Sequence, residues 1–374
     1  MPPVLRSHSA RWPTIGLACL VLAACASRAE MAFLPAGESV AEVETVFLGT
    51  TRALTAEGFS TERAPGTRYM RYGISIPPER EIGSVPFAEG TPDPMREFLV
   101  ADQQRFASEP SFQNALTETI EARPEGQREL FVYIHGYNNT FAQSLYRTAQ
   151  MRYDYEIPGL AVHFSWASRA DAADYVYDSN SVLVARDELG QFLRSLAAVR
   201  SDNLIVMAHS MGAHLLMETL RALAIAGDRA TIEAIDGLVL MSPDIDLDVF
   251  RAQASLIHPL PHPFVIFTSQ NDRALRLSSQ IAGRVERVGS IHAADDLADF
   301  NVTLVDVSEF NGGERDGLNH MAAATSPALV QFIRRAAEVN RDLEDHIPIE
   351  RPQLIPSTIN TVRSATQIVL SPLN

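Results

Sequence analysis

Lysine is missing altogether: the 31 basic residues among 374 are all arginine. Codon bias is a sufficient explanation, but the absence excludes Schiff-base chemistry and a serine–lysine dyad. Cysteine is almost missing. Cys19 and Cys25 are the only two, and beyond residue 25 the chain has no thiol for a disulfide, a metal site or a cysteine nucleophile. No apolar run reaches the roughly 20 residues that a spanning helix needs. Positive charge is also scarce: the formal net charge is −15, which makes a poor nucleic-acid binder. What remains is ample apolar material, 46% of residues, enough for one large core or two modest ones.

The first residues read as a targeting segment. Arg6 and Arg11 precede a short apolar run, Ile15 to Ala24, which ends Leu22-Ala23-Ala24-Cys25. This resembles a bacterial lipoprotein signal, and the resemblance implies removal of residues 1–24 and lipidation of Cys25. Losing Arg6 and Arg11 would take the net charge from −15 to −17. Ala26 and Ser27, with no aspartate after the cysteine, imply by the same resemblance the outer membrane, facing the periplasm. An ordinary secretory signal with a chance cysteine is the plainer alternative. Residues 25–42 are small and polar and read as a tether.

Strand signals follow at Val43–Leu48 and Tyr69–Ile76, in an N-terminal extension spanning 43–128. Residues 94–120 could hold a helix. From residue 129 to 341 short apolar runs alternate with helical periods. The runs are 130–134, 160–164, 204–208, 238–241, 264–267 and 302–305. Between them Thr140 and Gln143 form a capping box, Leu189, Phe192, Leu193 and Leu196 follow helical spacing, and Ser326-Pro327 opens a last helix. Near-continuous apolar strands alternating with helices mean a mostly parallel sheet covered by helices on both faces. Residues 342–374 are proline-rich and read as an extended tail.

The sharpest local motif is Ala208-His209-Ser210-Met211-Gly212, set between an apolar strand and an apolar-periodic helix. It resembles the nucleophile elbow of α/β hydrolases, in which a tight strand-to-helix turn lifts the serine above the sheet. The first glycine of that pattern is replaced by Ala208. The plain alternative is a serine capping a helix. The resemblance implies a chain order of serine, acid, histidine. Asp272 closes the run after Phe264–Phe267 and fits the acid, with Asp244 and Asp246 as rivals one strand earlier. His320 fits the base, with His292 as its rival. The turn His135-Gly136-Tyr137-Asn138 implies, with the elbow, oxyanion donors at the backbone amides of Tyr137 and Met211. His258 and His262 have a metal-like spacing, but Pro259, Pro261 and Pro263 break any helix that would align them. Neither metal nor cofactor is expected.

Several ordered stretches resemble one uncharacterised bacterial α/β-hydrolase family: Val132–Phe141, His163–Ser168 (with Ala167 in place of a usual proline), Tyr175–Asp178, Ala208–Gly212 and Ser242–Asp246. Phe47–Arg52 and Tyr72-Gly73 match its N-terminal part. The resemblance implies an α/β-hydrolase fold and esterase- or lipase-like hydrolysis through an acyl-enzyme on Ser210. Expected partners are a small ester or acyl substrate and, through Cys25, the membrane. Residues 167–180, with Trp166, Tyr175 and Tyr177, are candidates for an acyl pocket, core packing being the alternative for the aromatics. The short gap between Met241 and Phe264 argues against a large lid there. The competing reading is a non-catalytic envelope lipoprotein that uses the fold as a scaffold.

Overall fold

The computed structural model describes residues 29–331, apart from 39, 41, 172, 314 and 315, and residues 358–372 apart from 363. The expected signal segment, Cys25 and most of the stretch expected to form a last helix lie outside the described residues.

The chain runs β1 (Val43–Thr55), β2 (Gly58–Ser75), β3 (Leu99–Phe106), α1 (Glu109–Glu121), β4 (Glu129–Ile134), α2 (Phe141–Asp154), β5 (Leu160–Ser165) and α3 (Tyr175–Ala197). It continues through β6 (Asn203–His209), α4 (Met211–Ile225), α5 (Arg229–Glu233), β7 (Gly237–Met241), α6 (Leu247–Ile257), β8 (Phe264–Thr268) and α7 (Arg273–Ile281). β9 (Thr303–Asp306), α8 (Ala322–Thr325), β10 (Thr358–Val362) and β11 (Ala365–Val369) complete it. All eleven strands join one sheet in the order β10-β11-β9-β8-β7-β6-β4-β5-β1-β2-β3. From β11 to β1 every neighbouring pair is parallel.

The apolar runs become buried on both faces because alternate side chains point opposite ways. On β4, Leu130, Val132 and Ile134 pack with residues of α1, α3 and α4, whereas Phe131 and Tyr133 pack with Met151, Met241 and Val305. Each such burial contributes about 1.5–3 kcal/mol. α2 starts where the sequence places it, with Thr140 and Gln143 forming a reciprocal cap.

Three expectations are corrected. Residues 99–106, read within a helix, form an edge strand, and α1 begins only after the Ser108 cap. Within the 342–374 stretch, read as an extended tail with no place in the sheet, β10 and β11 form a hairpin, and β11 extends the sheet beside β9. The 25–42 tether is docked from Ala29 onward. Ala29 is buried, its carbonyl accepts the Thr140 hydroxyl at 2.9 Å, and Leu34 and Val100 amides bond to Val100 and Ala32 carbonyls.

The connectivity fixes where a site can form. From β4 the chain moves to β5 on one side, then crosses back to β6 on the other. At such a reversal the loops leaving the strands' carboxyl ends diverge and open a crevice. The loops after β4 and β6 carry His135–Asn139 and Ser210.

Candidate active site

Ser210 stands between β6 and α4 with φ 54° and ψ −122°. A non-glycine residue rarely holds a positive φ, and the surroundings must enforce it. The Ser210 amide donates to Met241 O at 3.0 Å, and its carbonyl accepts the Asp244 amide at 3.2 Å. The β4 loop presses in from the other side. A Cβ on Gly136 would lie 2.6 Å from His209 Nδ1 and 2.8 Å from Ser210 Cβ, and one on Gly212 would meet the His135 carbonyl. Both glycines are therefore required by contact. Met211 opens α4, so its amide belongs to the first turn, where the helix supplies no acceptor.

Asp272 follows β8 and caps α7, accepting the Leu275 amide at 2.9 Å through Oδ1. Its other oxygen lies 2.6 Å from His320 Nδ1. His320 sits on a loop held by Asp316, whose carboxylate accepts the His320 and Met321 amides at 2.9 and 2.7 Å. Its ring lies 4.6 Å, centroid to centroid, from that of His209, the residue before Ser210. His209 Nε2 bonds the His320 carbonyl at 3.2 Å, tying the elbow to the histidine loop. The Asp272–His320 pair and the loop bearing Ser210 thus lie at the same, carboxyl, end of the sheet, joined through His209. Burial disfavours the charged His320 ring, but the Asp272 charge and hydrogen bond, helped by Asp244 and Asp316, outweigh it and raise its pKa above the usual value. Burial keeps His209 neutral, aided by the His320 charge.

The rival residues have other partners. Asp244 is buried and accepts the Ser278 and Tyr175 hydroxyls at 2.7 and 2.9 Å, with Arg287 Nε at 3.2 Å. Asp246 caps α6. His292 is exposed on the segment leading to β9.

On the other flank, the loop after β4 is held by a buried network that sequence spacing did not reveal. Arg52, fully buried, donates to Ser165 Oγ at 3.0 Å, Ser168 O at 3.0 Å and Asn139 O at 2.9 Å. Asp178 accepts from Ser168 Oγ at 2.6 Å, the Arg169 amide at 2.8 Å and the Asn138 amide at 3.4 Å. Burial pulls the Arg52 pKa down to about 10 against the Asp178 charge. These residues come from four stretches that looked alike to one family. Their common task is to fix the turn carrying Tyr137.

The aromatic candidates divide. Trp166 is fully buried, stacked on His135 at 5.0 Å, and its Nε1 donates to the His135 carbonyl, so it packs rather than lines a pocket. Tyr177 lies under Arg63 and Arg169. Tyr175 alone reaches the site, its ring edge-on to Tyr137 at 5.4 Å. A cavity of about 600 Å³ lies at the opposite ends of the strands, lined by Glu44, Arg123 and Arg152, and holds no nucleophile–base pair. A second, of about 430 Å³, flanks the histidine loop beside Arg80, Arg147 and Asp316. Among the described residues, no cluster of three or more His, Cys, Asp or Glu is placed to hold a metal ion, and no helix is long and apolar enough to cross a membrane.

The family described as "Alpha/beta hydrolase of unknown function (DUF900)" matches residues 108–336, more than half of the chain. No curated protein sequence matches. Among solved structures, similar ones include a YdeN-like hydrolase from Pectobacterium atrosepticum (17% identity, 59% of this chain and 98% of that one, TM-score 0.29). Others are a fungal esterase from Rhizomucor miehei (13%, 82% and 86%, 0.34) and Est1E from Butyrivibrio proteoclasticus (11%, 73% and 94%, 0.32). Likenesses this distant carry no argument about substrate.

Proposed function

Since the chain belongs to this family of α/β hydrolases of unknown function, we propose that it is a carboxylic-ester hydrolase working through an acyl-enzyme on Ser210. The observation that carries the reading is the 2.6 Å contact between His320 Nδ1 and Asp272, formed beside a serine held at positive φ. Paired this way, Nδ1 keeps its hydrogen and leaves Nε2 as the base.

Ser210 Oγ adds to the ester carbonyl carbon as Nε2 takes its proton. The oxyanion is met by the amides of Tyr137 and Met211, and each such donor contributes about 100- to 1000-fold in rate. The carbon–oxygen bond to the alcohol then breaks, and the alcohol leaves with the proton from His320. Water, deprotonated by the same nitrogen, cleaves the serine ester to the acid and restores the hydroxyl. Asp272 orients the ring and balances its charge throughout.

The remaining part of the proposal concerns location: signal removal before Cys25 and acylation there would anchor the enzyme in the cell envelope, at the periplasmic side of the outer membrane. Several acyl chains hold stably because each buried methylene contributes about 0.8 kcal/mol.

A fluorophosphonate probe tests the chemistry directly. It should label the wild-type protein and spare Ser210→Ala. Equal failure of both, with the fold intact by circular dichroism, would leave the chain as a non-catalytic scaffold.

A further inference from the structure

The short link between Cys25 and the fold restricts how the molecule can stand on a membrane. Ala29 is 2% exposed and its carbonyl is bonded to Thr140, three residues beyond Tyr137. Four residues of fully extended chain reach about 14 Å. An acyl group on Cys25 is therefore moored close to the catalytic end of the sheet. The opposite ends of the strands stand about 20 Å further off, six residues at roughly 3.3 Å each.

The same end carries apolar groups turned to solvent. α7 is an excursion above the sheet: the chain departs at Ser269 and returns at Gly289, whose carbonyl accepts the Ser269 amide at 2.9 Å. Leu277 and Ile281, one turn apart on α7, are 55% and 54% exposed. Leu318, whose carbonyl accepts the Arg273 amide, is 52% exposed, and Val176, beside the Tyr175 that reaches Asp244, is 69% exposed. α7 has no acidic residue, and Arg273, Arg276 and the following Arg284 are exposed, in a chain of net charge −15. An exposed apolar strip flanked by arginines is the make-up of a helix that lies in a lipid interface. The arginines match phosphate headgroups, and the mooring sets the surface beside them.

We propose, resting on the serine-hydrolase reading and on acylation of Cys25, that the Ser210 face is held against an anionic lipid surface and that the substrates are long-chain acyl esters drawn from that surface. Val176, Leu277, Ile281 and Leu318 dip into the interface, and the acyl chain passes to Ser210 without crossing water.

The test uses the lipidated protein in phosphatidylcholine vesicles containing phosphatidylglycerol. A long-chain 4-methylumbelliferyl ester embedded in the vesicles is compared with soluble p-nitrophenyl acetate. The ratio of vesicle to soluble turnover should fall about tenfold or more in Leu277→Ser/Ile281→Ser, as expected when two inserting side chains are lost, and also in Cys25→Ser. Soluble turnover with an unchanged ratio in both variants overturns this proposal alone. Absence of turnover of either ester by the wild type overturns the hydrolase reading with it.

Orientation is read separately, because the processed chain has no thiol besides Cys25. A nitroxide on Leu318→Cys should collide with lipid-dissolved oxygen, and one on Arg200→Cys, before β6, with an aqueous nickel chelate. Equal exposure of both to the chelate contradicts the proposed stance.

Discussion

Two neighbouring strands, β7 and β8, each end in a turn that carries a buried aspartate, yet the two carboxylates have different company. Asp244, after β7, is enclosed by the Arg287 guanidinium and the Ser278 and Tyr175 hydroxyls, with no imidazole bonded to it. Asp272, after β8, faces an imidazole and otherwise only the amide of the helix it caps. In the proposed mechanism, then, position along the fold does not tell a structural acid from a catalytic one; the titrating partner does. The largest effect that could break this distinction is on turnover. Asp272→Asn should lower kcat/KM for a p-nitrophenyl ester by about 10⁴, the cost of the wrong histidine tautomer in comparable triads. Asparagine caps helices as well as aspartate, so thermal stability should barely move. If Asp244→Asn instead abolished turnover while Asp272→Asn kept it, the roles would have to be exchanged.

The converse holds for stability. Asp244 and Arg287 have side chains only 4% and 8% exposed, so the bridge is dry. Removing one partner leaves an uncompensated charge inside, a loss of about 3–5 kcal/mol. Asp244→Asn should show that loss in urea unfolding. Replacing both residues together should restore part of it, because the stranded charge is then gone. A loss confined to turnover would mean that Asp244 serves the reaction directly.

The comparison also marks what the sequence could carry. Strands β4 to β9 were legible because burial on both faces leaves continuous apolar runs, and the elbow because Ala208 and Gly212, two positions to either side of Ser210, are small. β3 was not, since Asp102, Gln103, Gln104 and Arg105 on an edge strand carry no apolar alternation. The docking of Ala29 and of β11 depends on partners more than sixty residues away, which no local period reports. The Arg52–Asp178 network has the same character. Its members lie in separate motifs, and their shared purpose is visible only after β1, β4 and β5 are laid side by side. Trp166 illustrates the ambiguity of a lone aromatic: its place beside the site is real, but it faces the core beneath His135.

The smallest effect sharpens the distinction between the two acids by pH. Burial works against a protonated His320, yet Asp272 more than compensates, so the ring titrates above the ordinary histidine value. A base must be neutral, so kcat/KM should rise with pH through a midpoint above about 6.5. The linked stability runs the other way. A raised folded pKa gives stabilisation that is complete below the unfolded value and is lost as pH climbs through the folded one, so activity appears over the interval in which this contribution disappears. Asp272→Asn should move the midpoint of its residual activity downward, because the compensating charge is gone while burial remains. Asp244→Asn should move it the same way by less, since Asp244 acts on His320 only through its charge. A midpoint that responds equally to both substitutions would mean that the carboxylate touching the ring has no privileged hold on its proton.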